Sequence, residues 1–240
     1  MQINTIEYTL VLNGFFNLSE PENNLYENLK KLQESTLKGG DLFYAPANIP
    51  IQNSLRFAQS DKNYVASFGN NYISYSFISK KPGDIFNKEK LSKLFYEITN
   101  LVEKEYKLSF NRITFFKEVI ITDLPKEIVN NGINGFLISK DLGDSRDWDL
   151  SFNKQMVVDI TNSYLKELTK HYQIYSSTLL RTSERVLCYK MSLATKTFKE
   201  SIFSGQDVLG FFDNGLDILE ESDKEFLNLL TSKIKGAING

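Results

Sequence analysis

His171 is the single histidine of the chain and Cys188 the single cysteine, a pair that could act as base and nucleophile if folding brought them together. Their surroundings point elsewhere. His171 sits in the polar run Lys170-His171-Tyr172, which reads as the end of an element, and Cys188 lies inside the apolar stretch VLCYKM, where a free thiol is a packing group. A working nucleophile also needs an orienting group and an oxyanion donor. No GxSxG elbow is present to supply a serine in its place. Asp141, Asp144, Asp147 and Asp149 offer carboxylate oxygens to a hard cation, but their spacing fits no EF-hand loop and Arg146 provides an internal counter-charge. A solvated acidic loop is therefore expected, with no metal. Trp148, the lone tryptophan, either folds back as a staple or projects as an anchor for a partner, together with Arg146 and Asp147. Arg181, Ser183 and Arg185 alternate, so on an extended segment they share a face and could grip an anion. The plainer expectation is a solvated hairpin tip with Glu184 as counter-charge. Neither GxxxxGK[ST] nor GxGxxG occurs, and no cofactor is expected.

The elements that must position these groups belong to an ordered chain. Of its 240 residues 41% are hydrophobic and 24% charged, far from the regime of disorder and enough for one large domain or two packed halves. A net charge of −2 argues against a uniformly basic phosphate-binding surface, though a local basic patch could still meet nucleic acid. One cysteine allows neither an internal disulfide nor a cysteine-built zinc site. The N-terminus lacks the charge and apolar run of a signal peptide, and no window reaches the length of a spanning helix. A cytoplasmic protein without membrane attachment is expected. The abundance of Asn, Ile, Lys and Phe suggests an AT-rich bacterial or phage genome.

Residues 3 to 16 alternate apolar and polar side chains as a half-covered strand does. Ser19-Glu20-Pro21-Glu22 reads as a helix start, Leu25, Leu29 and Leu32 follow at helical spacing, and Gly39-Gly40 closes the element. Pro46 and Pro50 make residues 41 to 53 an edge or connecting segment. Leu55–Ala58, Tyr64–Phe68 and Tyr72–Ile78 form a meander. Within it Tyr64 and Phe68, like Ile73, Tyr75 and Phe77, share one face, so these rings are expected to be core rather than a stacking platform for bases. A helix over 91 to 102 carries Leu91, Leu94, Phe95, Ile98, Leu101 and Val102 in one stripe, and residues 108 to 122 read as another strand. Glycines and acids make 123 to 151 a connector between halves spanning 1–122 and 152–240, unless the whole is one continuous domain. Residues 156 to 172 fit helix or strand; 172 to 181 and 184 to 195 fit a strand pair. A short apolar run over 207 to 212, a turn at Asp213-Asn214-Gly215 and a last helix capped by Ser222 and Glu225 complete the chain. Strands followed by a helix, twice over, predict an α+β fold: mostly antiparallel sheet, helices on one face, and two halves suggestive of a degenerate duplication.

The hairpin LRFAQSDKNYVASFGNNYISYSF, the helix ending near Tyr106, the strand LSFNRITFFKEVIITDL and the late DVLGFFDNGLDI before the terminal helix resemble a sporadically distributed bacterial family of about this length. Its members carry an F-x-x-x-D hairpin, an arginine-containing middle strand and an acidic strand before the last helix. Here the middle strand has only Arg112, and the terminal helix has no histidine. The resemblance implies the α+β fold and, through its sporadic distribution, a role in bacterial or phage conflict; it implies no activity. The expectation is a non-enzymatic protein that binds another protein or scaffolds it, with Trp148, Arg146, Asp147, Arg181 and Arg185 as contact residues and self-association open to it. The alternative is a nucleic-acid-processing or nucleotide-binding enzyme that gathers Arg112, Arg181 and Arg185 around Asp159 or Asp213.

Overall fold

The computed structural model describes residues 2–14, 42–44, 55–59, 63–69, 71–79, 81, 83–103, 110–124, 129, 149–158, 165–178 and 184–239. Nine strands run through them: β1 Gln2–Asn13, β2 Leu42–Tyr44, β3 Leu55–Gln59, β4 Tyr64–Gly69, β5 Tyr72–Ile78, β6 Arg112–Thr122, β7 Asp149–Val157, β8 Glu167–Thr178 and β9 Arg185–Thr195. Helix α1 is Lys88–Glu103 and helix α2 is Gly205–Asn239. The strands make one antiparallel sheet in the order β2-β3-β4-β5-β1-β6-β9-β8-β7. An α+β fold follows directly.

That order contains a repeat. β1 stands at the centre of the sheet; the chain then goes to the outer edge and returns through β2, β3, β4 and β5 until β5 pairs with β1, and α1 follows. β6 stands beside β1; the chain goes to the opposite edge and returns through β7, β8 and β9 until β9 pairs with β6, and α2 follows. The two runs meet in the antiparallel β1–β6 ladder, where Tyr8 faces Lys117 and Leu10 faces Phe115. The topological repeat thus starts its second run at β6.

Period-two alternation decides which face each residue joins. Tyr8, Leu10 and Leu12 of β1, Ile73, Tyr75 and Phe77 of β5, and Tyr64, Ala66 and Phe68 of β4 are all buried on one face. The same face takes Ile113, Phe115, Val119 and Ile121 of β6 with Leu187, Tyr189, Met191 and Leu193 of β9. Both helices cover it. α1 begins where Asn87 Oδ1 accepts the Lys90 N–H at 3.0 Å, and its stripe Leu91, Leu94 and Phe95 is buried, with Phe95 edge-on to Tyr75. Tyr64, Phe68, Tyr75 and Phe77 are therefore core, as expected from their alternation, while Tyr72 is half-buried on the opposite face.

Two expectations need correction. The 207 to 212 run and the Asp213-Asn214-Gly215 turn are the first turns of α2, a 35-residue helix about 52 Å long. Its cap is Ser204, whose hydroxyl accepts the Asp207 N–H at 3.3 Å, while Asp207 Oδ2 accepts the Ser204 N–H at 2.8 Å. Buried Val208, Phe211, Phe212, Leu216, Leu219, Phe226 and Leu230 hold the helical period straight through the segment, with Asp213 and Asn214 on its exposed side. Ser222 is no cap: its hydroxyl donates back to the Ile218 carbonyl at 2.6 Å, inside the helix. For 156 to 172, which fits helix or strand, the described parts are mainly strand: β7 runs to Val157 and β8 has begun by Glu167. The helix expected over 19 to 32 lies outside the described residues.

A buried charge interrupts the apolar inner face. Lys117 follows Phe115 at a core position and is only 4% exposed. Its ammonium meets Asp223 at 2.7 Å and Glu220 at 3.3 Å on α2, and lies over the Tyr8 ring at 5.0 Å. The Tyr8 hydroxyl donates to Glu220 and the Tyr189 hydroxyl to Asp223. Burial and the adjoining carboxylates hold both phenols protonated, far above the usual tyrosine range. Lys117→Ala would leave Asp223 buried without its cation. It is expected to cost about 3–5 kcal/mol of unfolding free energy in urea titration, whereas Asp213→Ala, which removes the exposed Lys88–Asp213 pair, should cost less than about 1 kcal/mol.

Candidate binding face

With both described helices on one side, the other side of the sheet is free of helices among the described residues and carries the alternate residues; of these Thr9, Val65, Ser192 and Ala194 are buried and Glu7, Glu118 and Lys190 half-buried. Register aligns them in rows across the strands. One row reads Ile78, Glu7, Glu118, Lys190, Gln173 and Ser151. The next reads Val65, Ser76, Thr9, Phe116, Ser192, His171 and Asn153, and a third Ser67, Ser74, Val11, Thr114, Ala194, Thr169 and Gln155. Hydroxyl and amide side chains dominate. At the β5 end the Tyr72 ring lies across Gly69, where a Cβ would meet it at 2.3 Å.

The centre of this face carries charge. Glu7 and Glu118 stand directly opposite each other on β1 and β6, a like-charged pair that weakens a ladder unless it is compensated. Compensation comes from three sides. Thr9 Oγ1 lies 2.7 Å from both Glu7 Oε1 and Ser76 Oγ, so the Thr9 hydroxyl donates to the carboxylate and accepts from the serine. Tyr175 reaches across β9 to donate to Glu118, and Lys190 Nζ lies 3.7 Å from the same carboxylate and 3.7 Å above the Phe116 ring. Burial raises the Glu7 carboxyl above its ordinary value; Thr9 opposes that shift, and Glu118 adds to it. The result is a set of strong acceptors with one cation among them. Such a set suits a guanidinium, ammonium or amide donor from outside.

The residues named from sequence are dispersed. Arg146, Asp147, Trp148, Asp159 and Arg181 lie outside the described residues, as do Asp141, Asp144 and Ser183. Asp149 opens β7, exposed, and accepts from Gln173 Nε2 at 2.7 Å. Arg185 is half-buried at the start of β9, its Nη2 donating to Ser176 Oγ at 2.9 Å. Arg112 is exposed at the start of β6, on the helix-free face and at the opposite end of the ladder from Arg185, about 30 Å or more away. Asp213 is on α2, bridged to Lys88 at 2.9 Å, and lines a groove of about 750 Å³ between α1 and α2 that includes neither arginine. Arg112, Arg185 and Asp213 therefore do not converge, because strand direction and side-chain alternation send them to different ends and faces.

His171 and Cys188 are also apart. His171 lies within β8 rather than at an element's end, opposite Ser192 and Asn153, and its Nδ1 is 2.6 Å from Asn153 Oδ1. Cys188 faces Tyr175, four residues further along β8, about 13 Å along the strand. The thiol is 2% exposed, and burial pushes it up to about 12. Glu7, Glu118, Lys190 and Tyr175 were not singled out from sequence, because their meeting depends on register; Lys117, a charge at a core position of a strand, was the one visible signal. No protein-family model, curated protein or solved structure matches the chain. No helix among the described residues is long and apolar enough to cross a membrane.

Two measurements check this geometry. A raised folded-state pKa means that the folded chain prefers the neutral Glu7 carboxyl, so ionisation opposes folding at neutral pH. Glu7→Gln is expected to be more stable than the parent at pH 7, with the gain shrinking as pH falls through the raised value and gone below the ordinary carboxyl value of 4.5. The second concerns the thiol: Cys188 should resist iodoacetamide at pH 8 in the native protein and react fully in urea.

Proposed function

We propose that the protein is a non-enzymatic cytoplasmic binding protein that engages another protein through the helix-free face of its sheet and acts by occluding or scaffolding it, in a bacterial or phage defence or counter-defence setting. The observation that carries this reading is the face itself. It spans the sheet as rows of hydroxyls, amides and paired charges, with Glu118 meeting Lys190 and Glu167 meeting Lys196. The adjacent carboxylates Glu7 and Glu118 at its centre favour a partner that brings basic and amide donors. The connector residues Arg146, Asp147 and Trp148 directly precede β7 in sequence, which makes them natural rim contacts for the same partner. The buried, protonated Cys188 and its distance from His171 favour binding over nucleophilic catalysis. The resemblance to a sporadically distributed bacterial family supports the conflict setting by analogy alone.

Site-specific photo-crosslinking in a lysate of the native host tests the reading. A photoreactive amino acid at Gln173, on the helix-free face, is expected to capture one protein, with capture reduced several-fold by Glu118→Gln. The same probe at exposed Lys93 on α1 should not capture it. Equal capture at both positions would sink the proposal, and nuclease-sensitive adducts at Gln173 would favour the nucleic-acid alternative.

A further inference from the structure

The two edges of the sheet differ. β2 is three residues long, and Pro46 and Pro50 follow it in sequence, a blunt edge of the kind that resists further pairing. β7 is nine residues long, contains no proline and pairs with β8 in unbroken register from Asp149↔Tyr175 to Val157↔Glu167. In the topological repeat β7 holds the place of β3. The outer side of β3 is covered by β2; the outer side of β7 has no strand beside it among the described residues. Its backbone groups on that side form a template for one more strand.

The side chains of β7 indicate which strand fits. We propose that β7 pairs antiparallel with β7 of a second copy of this chain, about a two-fold axis at Asn153. In that register Leu150 faces Met156 of the other copy and Phe152 faces Lys154 on the helix side of the sheet, while Ser151 faces Gln155 and Asn153 faces itself on the other side. Leu150 meets Met156, an ammonium meets an aromatic face, amide meets amide or hydroxyl, and at each end of the ladder Asp149 faces Val157. No like charges are opposed. The side chains that gain cover are those left open in one copy: Phe152 is 54% exposed although stacked on Tyr172 at 4.8 Å, Val157 is 78% exposed, and Leu150 and Met156 are only partly buried against the core. The dimer carries a continuous sheet across its two-fold axis. This inference stands independently of the proposed function.

Sedimentation velocity on the full chain over a concentration series, combined with cysteine crosslinking, decides it. The parent is expected to pass from monomer to dimer as concentration rises. Asn153→Lys and Asn153→Asp should each weaken the dimer by about fivefold, the effect of opposed like charges, and an equimolar mixture of the two should restore it. Under mild oxidation Asn153→Cys should form an intermolecular disulfide much faster than Lys93→Cys, because residues facing each other across an antiparallel ladder lie within disulfide reach while buried Cys188 takes no part. Circular dichroism confirms that each variant is folded. A parent that stays monomeric at every concentration, or an Asn153→Cys crosslink no faster than that of Lys93→Cys, overturns the proposal.

Discussion

A single ammonium group governs how α2 lies on the sheet. Lys117 projects from β6 into the inner face, and Asp223 and Glu220 of α2 receive it while Tyr8 of β1 and Tyr189 of β9 complete the carboxylates. Apolar contacts between a long helix and a sheet of Phe, Leu and Ile would tolerate sliding or rotation by a turn, since they are non-directional. A buried cation does not tolerate this, because any other register would leave a charge without partners. The interaction is a poor source of net stability and a strong source of specificity. It also sets the location of the other face: with α2 fixed across β1, β6 and β9, and α1 beside it over β1, β4 and β5, both described helices lie on one side.

The helix-free side has a different balance of forces. Its central pair of carboxylates is stabilised by a threonine, a tyrosine and a lysine supplied from three different strands. A surface built this way keeps acceptor capacity after its internal bonds are made, since each carboxylate has more lone pairs than donors reaching it. The repeat that creates the sheet is unequal, five strands in one run and four in the other. That inequality leaves the β7 edge and the β2 edge with different chemistry.

The meander, α1 and the β8–β9 pair were legible because each combines clean periodicity with local turn residues. The face to which Tyr64, Tyr75 and Phe77 belong was legible for the same reason. α2 was misread because Asp-Asn-Gly has turn chemistry, and local propensity is overridden when the apolar stripe on either side of it packs against a sheet; the spacing of Val208, Phe211, Phe212 and Leu216 already contained that stripe. The pairing of Glu7 with Glu118 could not be read, because it depends on which residue of β6 meets which residue of β1, and no local signal encodes a register between segments so distant in sequence. The separation of His171 from Cys188 is likewise a property of strand register.

The position of β1 shapes how the chain must be made. It is made before the other described strands, yet its neighbours are β5 and β6, so Tyr8 waits for Phe77 on one side and for Lys117 on the other. Until then Leu10 and Leu12 have nothing to cover them, and the closing ladder joins segments more than a hundred residues apart. Assembly with such distant pairing is slow and prolongs the exposure of an apolar strand during synthesis, which makes the nascent protein a natural client for chaperones.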